Sequence, residues 1–389
     1  MLLILNTSAE SQRPAAPSLD GVPELAAIGD NDDSPKSALT PEEWSRVDKA
    51  VARALSWLAT QQQRDGSYPT LDYGQPAVTS FCALAFAAHG HVAGEGHYGK
   101  QMERAIDFTL SCQKPSGLIA LVANHGPRLS RLVPDQIGTA AAYNHAISSL
   151  FLSELYGMNG GQRARRLENG INKSLAVTLE MQGWQKDNRA DRGGWRYLHD
   201  RDELDSDLSV TGWQLMFLRS ARNAGFDVPK QPIDEAVQYV LRCFDPQRGT
   251  FSYSTTRGGD CSRAMAGAGI LALAHAGYHN APESRLAAQY ITNAGFADYN
   301  AIPISLMNTH DRYHYGLFLG CQGLYQLGGP SWQDSYPRIV RALLANQQAD
   351  GSWPADSHMH DSPFGNCYTT ALVVLTLGAP NQLLPIFQR

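Results

Sequence analysis

The sequence predicts an all-α chain folded as a six-fold α/α toroid, an α6-α6 barrel of paired antiparallel helices. Three observations carry that prediction. A turn motif recurs near both ends of the chain, glycines close Ala/Leu-rich stretches at regular spacing, and apolar stretches alternate with charged ones. Repeats of about this length are the signature of stacked helix pairs.

Each unit can be justified in order. The first passes through Gln62-Gln63-Arg64-Asp65-Gly66-Ser67-Tyr68-Pro69 into an apolar stretch over 79–88 and stops at Gly90. The second carries charge over 101–108, turns at Cys112-Gln113-Lys114-Pro115-Ser116-Gly117 and stops at Gly157. The third turns at Gly193-Gly194-Trp195-Arg196-Tyr197 and stops at Gly225. The fourth turns at Arg248-Gly249-Thr250-Phe251-Ser252-Tyr253, runs through 264–276 and stops at Gly277. The fifth stops at Gly328. The sixth repeats the opening motif as Gln347-Gln348-Ala349-Asp350-Gly351-Ser352-Trp353-Pro354, runs through 370–377 and stops at Gly378.

The stops lie 67, 68, 52, 51 and 50 residues apart. A glycine just past a helix takes the left-handed C′ position that other residues resist. Helices apolar all round are buried, so the second helix of each unit belongs to an inner ring and the charged first helix to an outer one. An open solenoid is the alternative, but it needs polar end caps, and none is legible.

Composition narrows the function. The chain has 389 residues, 43% hydrophobic and 18% charged, with a net charge of −5. That is enough apolar material for a large core, and no basic surplus points to nucleic acid. The six cysteines, Cys82, Cys112, Cys243, Cys261, Cys321 and Cys367, are scattered without a C-x-x-C pair, so neither a disulfide framework nor a zinc ribbon is expected. No apolar run reaches the ~20 residues of a membrane span. Residues 1–40, rich in Pro, Ser, Ala and Asp, read as a flexible leader, with a single toroid over 41–389. Met1-Leu2-Leu3-Ile4-Leu5 is too short for a signal peptide. As written it favours the cytoplasm, and export if it is the remnant of a trimmed signal.

With the inner helices all starting at one end, the residues before them line a mouth. Helix N-termini there offer free N–H groups suited to an anion. Candidates at that mouth include Tyr143, His145, Asp205, Asp207, Asp260, Cys261, Arg263, Asp311, Tyr313, His314, Asp361 and Tyr368. Helix capping is the ordinary role of such aspartates.

The Q-x-x-D-G-S-aromatic turns between paired helices resemble the repeats of the terpenoid cyclase and protein prenyltransferase superfamily, over roughly residue 41 to the end. The segment Gly193-Gly194-Trp195, followed by Asp205-Ser206-Asp207-Leu208, resembles the G-G-W turn and D-x-D-D motif of class II terpene cyclases, with Leu208 in the place of the third Asp. The resemblance implies an isoprenoid-handling enzyme, with Asp207 as the acid that protonates an alkene or epoxide and Asp205 as its partner. Tyr143, His145, Tyr197, Trp213, Tyr253, Arg263, Tyr313 and Tyr368 would bind substrate. Ring faces also stabilise a carbocation. The cyclase reading needs no cofactor.

A second resemblance, to protein prenyltransferase β-subunits, makes Asp260, Cys261 and His314 zinc ligands. Ser262 stands where that family has its Cys. The third reading is a non-catalytic binding scaffold on the same toroid. The expected partner is a hydrophobic isoprenoid. Peripheral membrane contact and oligomeric state stay open.

Overall fold

The computed structural model describes residues 35–129, 134–198, 205–255, 260–307 and 309–389. Residues 1–34 of the expected leader lie outside them. The short helix Pro35–Ala38 is held by Trp332, whose indole Nε1 donates to Pro35 O at 2.9 Å, and by Trp44, which donates to Lys36 O at 2.9 Å.

Six outer helices alternate with six inner ones among the described residues. The outer helices are α1 (Pro41–Gln61), α3 (Gly99–Ser111), α5 (Gly161–Gln182), α7 (Lys230–Arg242), α9 (Pro282–Ala294) and α11 (Gly329–Ala345). The inner helices are α2 (Ala77–Ala87), α4 (Asp135–Tyr156), α6 (Leu208–Asn223), α8 (Arg263–His275), α10 (Tyr313–Leu327) and α12 (Gly365–Leu377). Each inner helix packs on the next, and α12 returns to α2, so the ring closes. The unit spans Ser34–Arg389. A two-residue hairpin, β1 (Phe244–Asp245) with β2 (Thr250–Phe251), is the one sheet among the described residues.

The sequence pattern explains the layers. Every residue of α2 and of α8 is buried, whereas α1 buries Val47, Ala50, Val51, Ala54, Leu55 and Leu58, one face at helical spacing. Thr40 and Glu43 form a reciprocal capping box at the start of α1.

Two repeated devices join the units. In the first, a glutamine at the end of an outer helix donates from Nε2 to its own turn and to the next outer helix. Gln62 reaches Gly66 O and Gln101 O, Gln113 reaches Gly117 O and Gly170 O, Gln182 reaches Gly193 O and Pro232 O, and Gln347 reaches Gly351 O and Ala50 O. The last bridge ties the sixth unit to the first. The turn glycines lie close to the next helix's backbone. A Cβ on Gly117 or Gly351 would sit 2.7 Å from Lys173 O or Arg53 O, and both have φ near +97 (+96 and +97). No other residue fits.

In the second device the aromatic residue of the turn donates its backbone N–H to a threonine on the following inner helix. Tyr68 binds Thr79, Trp195 binds Thr211 and Trp353 binds Thr370, each at 3.0 Å.

Four of the expected stops, Gly90, Gly225, Gly277 and Gly328, have positive φ. Gly157 and Gly378 do not: they cap α4 and α12 in right-handed geometry, at φ −68 and −83. There the glycine ends the helix without the left-handed turn that its residue type suggests.

The far end of the ring is filled by the chain's last residues. Ile386 N donates to Glu154 Oε2 on α4, and the Phe387 ring packs 5.9 Å from Phe318.

Candidate functional site

The mouth is built around the start of α6. The Gly193-Gly194-Trp195 turn is fixed by Trp195, whose indole donates to Thr178 O at 2.8 Å, and Asp207 N pairs with Trp195 O at 3.0 Å. This places Asp207 as the N-cap of α6. Its Oδ1 accepts from Val210 N at 2.8 Å, and its Oδ2 pairs with Arg196 NH1 at 2.9 Å. Asp207 is fully buried.

Arg196 also donates from NH1 to the Tyr253 hydroxyl at 2.7 Å, and its guanidinium lies 4.0 Å from the Tyr197 ring centre. The Tyr197 and Tyr253 hydroxyls are 2.5 Å apart. Beside them Tyr143 donates to Ser209 Oγ at 2.9 Å. Ser209 Oγ meets the Tyr315 hydroxyl at 2.7 Å, and Trp213 Nε1 donates to that same hydroxyl at 2.8 Å. Two hydrogen-bonded groups of hydroxyls therefore stand side by side at the start of α6, the Tyr143 and Tyr197 ring centres 6.1 Å apart.

Below it the ring is packed with aromatic side chains. Trp213 stacks on Phe318 at 5.9 Å, and Phe81 meets Trp213 at 5.4 Å and Tyr368 at 6.0 Å.

Electrostatics oppose one another at Asp207. Burial raises its pKa above the ordinary aspartate value. The Arg196 charge and the N–H groups of Val210 and Ser209 pull it back, and burial prevails. Burial also pushes the Tyr143, Tyr197 and Tyr253 hydroxyls up, and the nearby Asp207 charge adds to this.

A second buried carboxyl stands before α12. Asp361 Oδ1 pairs with Arg312 NH1 at 2.9 Å. Burial outweighs Arg312 and raises its pKa to about 6.

The structure corrects several sequence expectations. Asp205 does not pair with Asp207. Its Oδ2 accepts from Asp187 N at 2.6 Å, and its own N–H is held by Asp191 at 2.9 Å, so it pins a loop. His145 lies within α4, which begins about two turns earlier than expected, at Asp135. Its Nδ1 accepts from Ile119 N at 3.2 Å. That is the job done elsewhere by Thr79, Thr211 and Thr370, so His145 is a structural anchor. Burial depresses its pKa to about 4.

Arg263 is not available to substrate. Its Nε and NH2 bind Asp311 Oδ2 at 3.0 and 2.6 Å, NH1 binds Gly295 O at 2.6 Å, and NH2 binds Ala301 O at 3.1 Å. Tyr313 is buried beside it, donating to Phe296 O at 2.9 Å.

The zinc trio does not converge. His314 is held by Asp356 at 2.7 Å and Tyr299 at 3.1 Å. Asp260 and Cys261 instead line a groove of about 770 Å³ together with Arg248 and Tyr290. No three metal-ligating side chains cluster among the described residues.

Of the residues expected at one mouth, Asp207, Tyr143, Tyr197 and Tyr253 stand around the start of α6, and Trp213 and Tyr368 belong to the aromatic packing below it. Sequence reasoning missed Arg196, Ser209 and Arg312 as members, while Tyr315 was among the aromatic residues expected to line a cavity there. Arg196 stood in plain view inside the Gly-Gly-Trp turn. Superposing the repeats would have aligned His145 with the threonines.

No protein-family description matches the chain, and no curated protein matches it in sequence. Its structure is similar to that of type II terpene cyclase MstE from Scytonema. A ligand-free variant of MstE is 15% identical, with 90% of this chain and all of that chain covered at a TM-score of 0.55. A variant in complex with geranylgeranyl dihydroxybenzoate gives 14% identity, 89% and 100% coverage and a TM-score of 0.54. A glycosyl hydrolase family 88 protein from Bacteroides vulgatus is 12% identical, with 86% and 97% coverage and a TM-score of 0.57. The chain thus has the helical-toroid fold of terpene cyclases and of certain glycosidases, and resembles the terpenoid cyclase superfamily in architecture.

Proposed function

We propose that this protein handles isoprenoids as a class II cyclase-like enzyme, with Asp207 as the proton donor. One observation carries the reading. Asp207 is wholly buried, and burial raises its pKa while a guanidinium sits 2.9 Å from its oxygen. Burial favours the resting proton. Arg196 stabilises the carboxylate left behind once the proton moves to an alkene carbon. Together these describe a strong acid kept in reserve. The faces of Tyr143, Tyr197, Tyr253 and Tyr315 would stabilise the carbocation. The cyclase fold supports this reading, and the prenylated ligand of MstE is of the same substrate class.

The test is turnover. Wild type and Asp207→Asn are incubated with squalene, oxidosqualene and linear prenyl diphosphates, and cyclic products are sought by mass spectrometry. Loss of at least about a hundredfold in the variant is expected for a removed acid. Equal turnover would refute the assignment.

A binding scaffold is the second reading. It is favoured by the packing of Phe81, Trp213 and Phe318 in the ring, which leaves a long chain to be accommodated by rearrangement. Turnover of none of these compounds would leave the scaffold.

A further inference from the structure

The end of α6 opposite Asp207 carries a separate concentration of charge. Arg219 and Arg222 lie about 20 Å along the helix from that carboxyl, at the rise of about 1.5 Å per residue. With Leu215 they fall at i, i+4 and i+7, so both guanidiniums leave one face of the helix. Lys230, Ile233 and Asp234 open α7 at i, i+3 and i+4. These two faces, with His275 to Tyr278 at the end of α8, line a pocket of about 190 Å³.

The charges in this pocket do not balance. Arg219 and Arg222 are exposed and make no hydrogen bond or ion pair among the described residues. Lys230 meets Asp234 at 2.5 Å. His275 closes the inner wall, 9% exposed and with its Nε2 unpartnered. Burial, and then the Arg219 charge, hold its pKa down at about 3, so the ring adds no charge at neutral pH. Three cations against one carboxylate leave two positive charges without a counterpart. Helix ends adjust that surplus without cancelling it. The C-terminal ends of α6 and α8 bring roughly half a negative charge each, and the start of α7, which has no side-chain cap, brings half a positive one.

A surplus above one charge suits a dianion better than a carboxylate. A guanidinium also presents paired N–H donors that match two oxygens of a phosphate. The pocket is smaller than the about 300–1,000 Å³ of sites for drug-sized ligands, so it admits a small head group and no isoprenoid chain. We propose that Arg219 and Arg222, backed by the first turn of α7, bind a terminal phosphate group at a site distinct from the Asp207 mouth. Inorganic phosphate, a soluble phosphomonoester and a phospholipid head group share that chemistry. The inference stands apart from the isoprenoid reading.

Inorganic phosphate, glycerol 3-phosphate and acetate are titrated into the full chain by calorimetry at constant ionic strength. Wild type should bind both phosphates at least about tenfold more tightly than acetate, the yield of one further charged hydrogen bond. Arg219→Gln and Arg222→Gln should each weaken phosphate by about the same factor. Arg338→Gln, which removes an exposed cation from α11, should leave binding unchanged. Circular dichroism establishes that each variant is folded. Vesicles of phosphatidylcholine with and without phosphatidic acid separate the sources. Co-sedimentation that needs phosphatidic acid and is lost in Arg219→Gln supports the site with a lipid head group as its ligand. Phosphate binding without co-sedimentation supports it with a soluble phosphate. Failure of wild type to bind phosphate, acetate bound equally well, or an equal loss in Arg338→Gln would overturn the site and leave the isoprenoid reading standing.

Discussion

Two buried Arg–Asp pairs stand at the starts of adjacent inner helices, and they behave differently. At α8, Arg263 spends Nε, NH1 and NH2 on Asp311 and two backbone carbonyls, and Asp311 Oδ1 also accepts Arg263 N at 2.8 Å. At α6, among the contacts of the described residues, Arg196 meets Asp207 and, from the same nitrogen, the Tyr253 hydroxyl. The residue types match and both aspartates are fully buried. One pair is closed on itself and holds the fold. The other opens onto a pair of hydroxyls, and its carboxyl is left with a raised pKa. Partner geometry, more than residue type, separates a clamp from a site.

The sharpest way to break this contrast is to cut the closed pair. Asp311→Ala leaves the Arg263 guanidinium buried without its carboxylate and should cost about 3–5 kcal/mol in urea unfolding. A cost below about 1 kcal/mol would mean that Arg263 is not a clamp.

Glu154 supplies a buried carboxyl whose partners are a hydroxyl and an amide rather than a cation. Ser220 Oγ lies 2.5 Å from Oε1, and Ile386 N lies 3.1 Å from Oε2. Burial raises its pKa from 4.5 to about 7. A carboxyl whose folded pKa is raised contributes stability below its unfolded value and loses it as pH rises through the folded value. Wild type should therefore lose on the order of 3 kcal/mol from this group between pH 4.5 and 7, and Glu154→Gln should flatten that slope. An unchanged pH profile in the variant would contradict the burial argument.

The open pair should be far less costly to cut. Asp207→Asn keeps a capping oxygen for Val210 and replaces a carboxyl that burial already pushes towards its neutral form, so unfolding should shift by about 1–2 kcal/mol. A cost equal to that of Asp311→Ala would erase the distinction. The smallest change expected is at a repeat joint: Gln182→Ala loses two carbonyl contacts, worth about 1 kcal/mol of stability.

The fold was legible because its devices are local and repeated. Gln and Gly recur in four of the turns, and the glutamine meets its own turn and the next outer helix in each, as Gln62 and Gln347 show. Ring closure was legible for the same reason, since the last turn matches the first. The site was legible only in part. Asp207 follows a recognisable turn, but which aspartate lies beside it depends on side-chain direction, and Asp205 turns outward to Asp187. Arg263 and Arg196 look alike in sequence. Only the packing of Gly295 and Ala301 against one, and of Tyr197 and Tyr253 against the other, tells them apart. The orphaned oxygen of Asp361 has no sequence signature at all.

The central claim is that Asp207 holds its proton above the ordinary aspartate range. Infrared spectra of wild type and Asp207→Asn, recorded with isotope-labelled aspartate across pH 3–8, read that proton directly. The account predicts a protonated-carboxyl band that persists above the ordinary aspartate value of about 3.9 and is absent from the variant. A second such band, titrating near 6, should vanish in Asp361→Asn. If the Asp207 carboxyl is ionised throughout, it is a helix cap paired with Arg196, and the acid at the mouth of this toroid must be sought elsewhere.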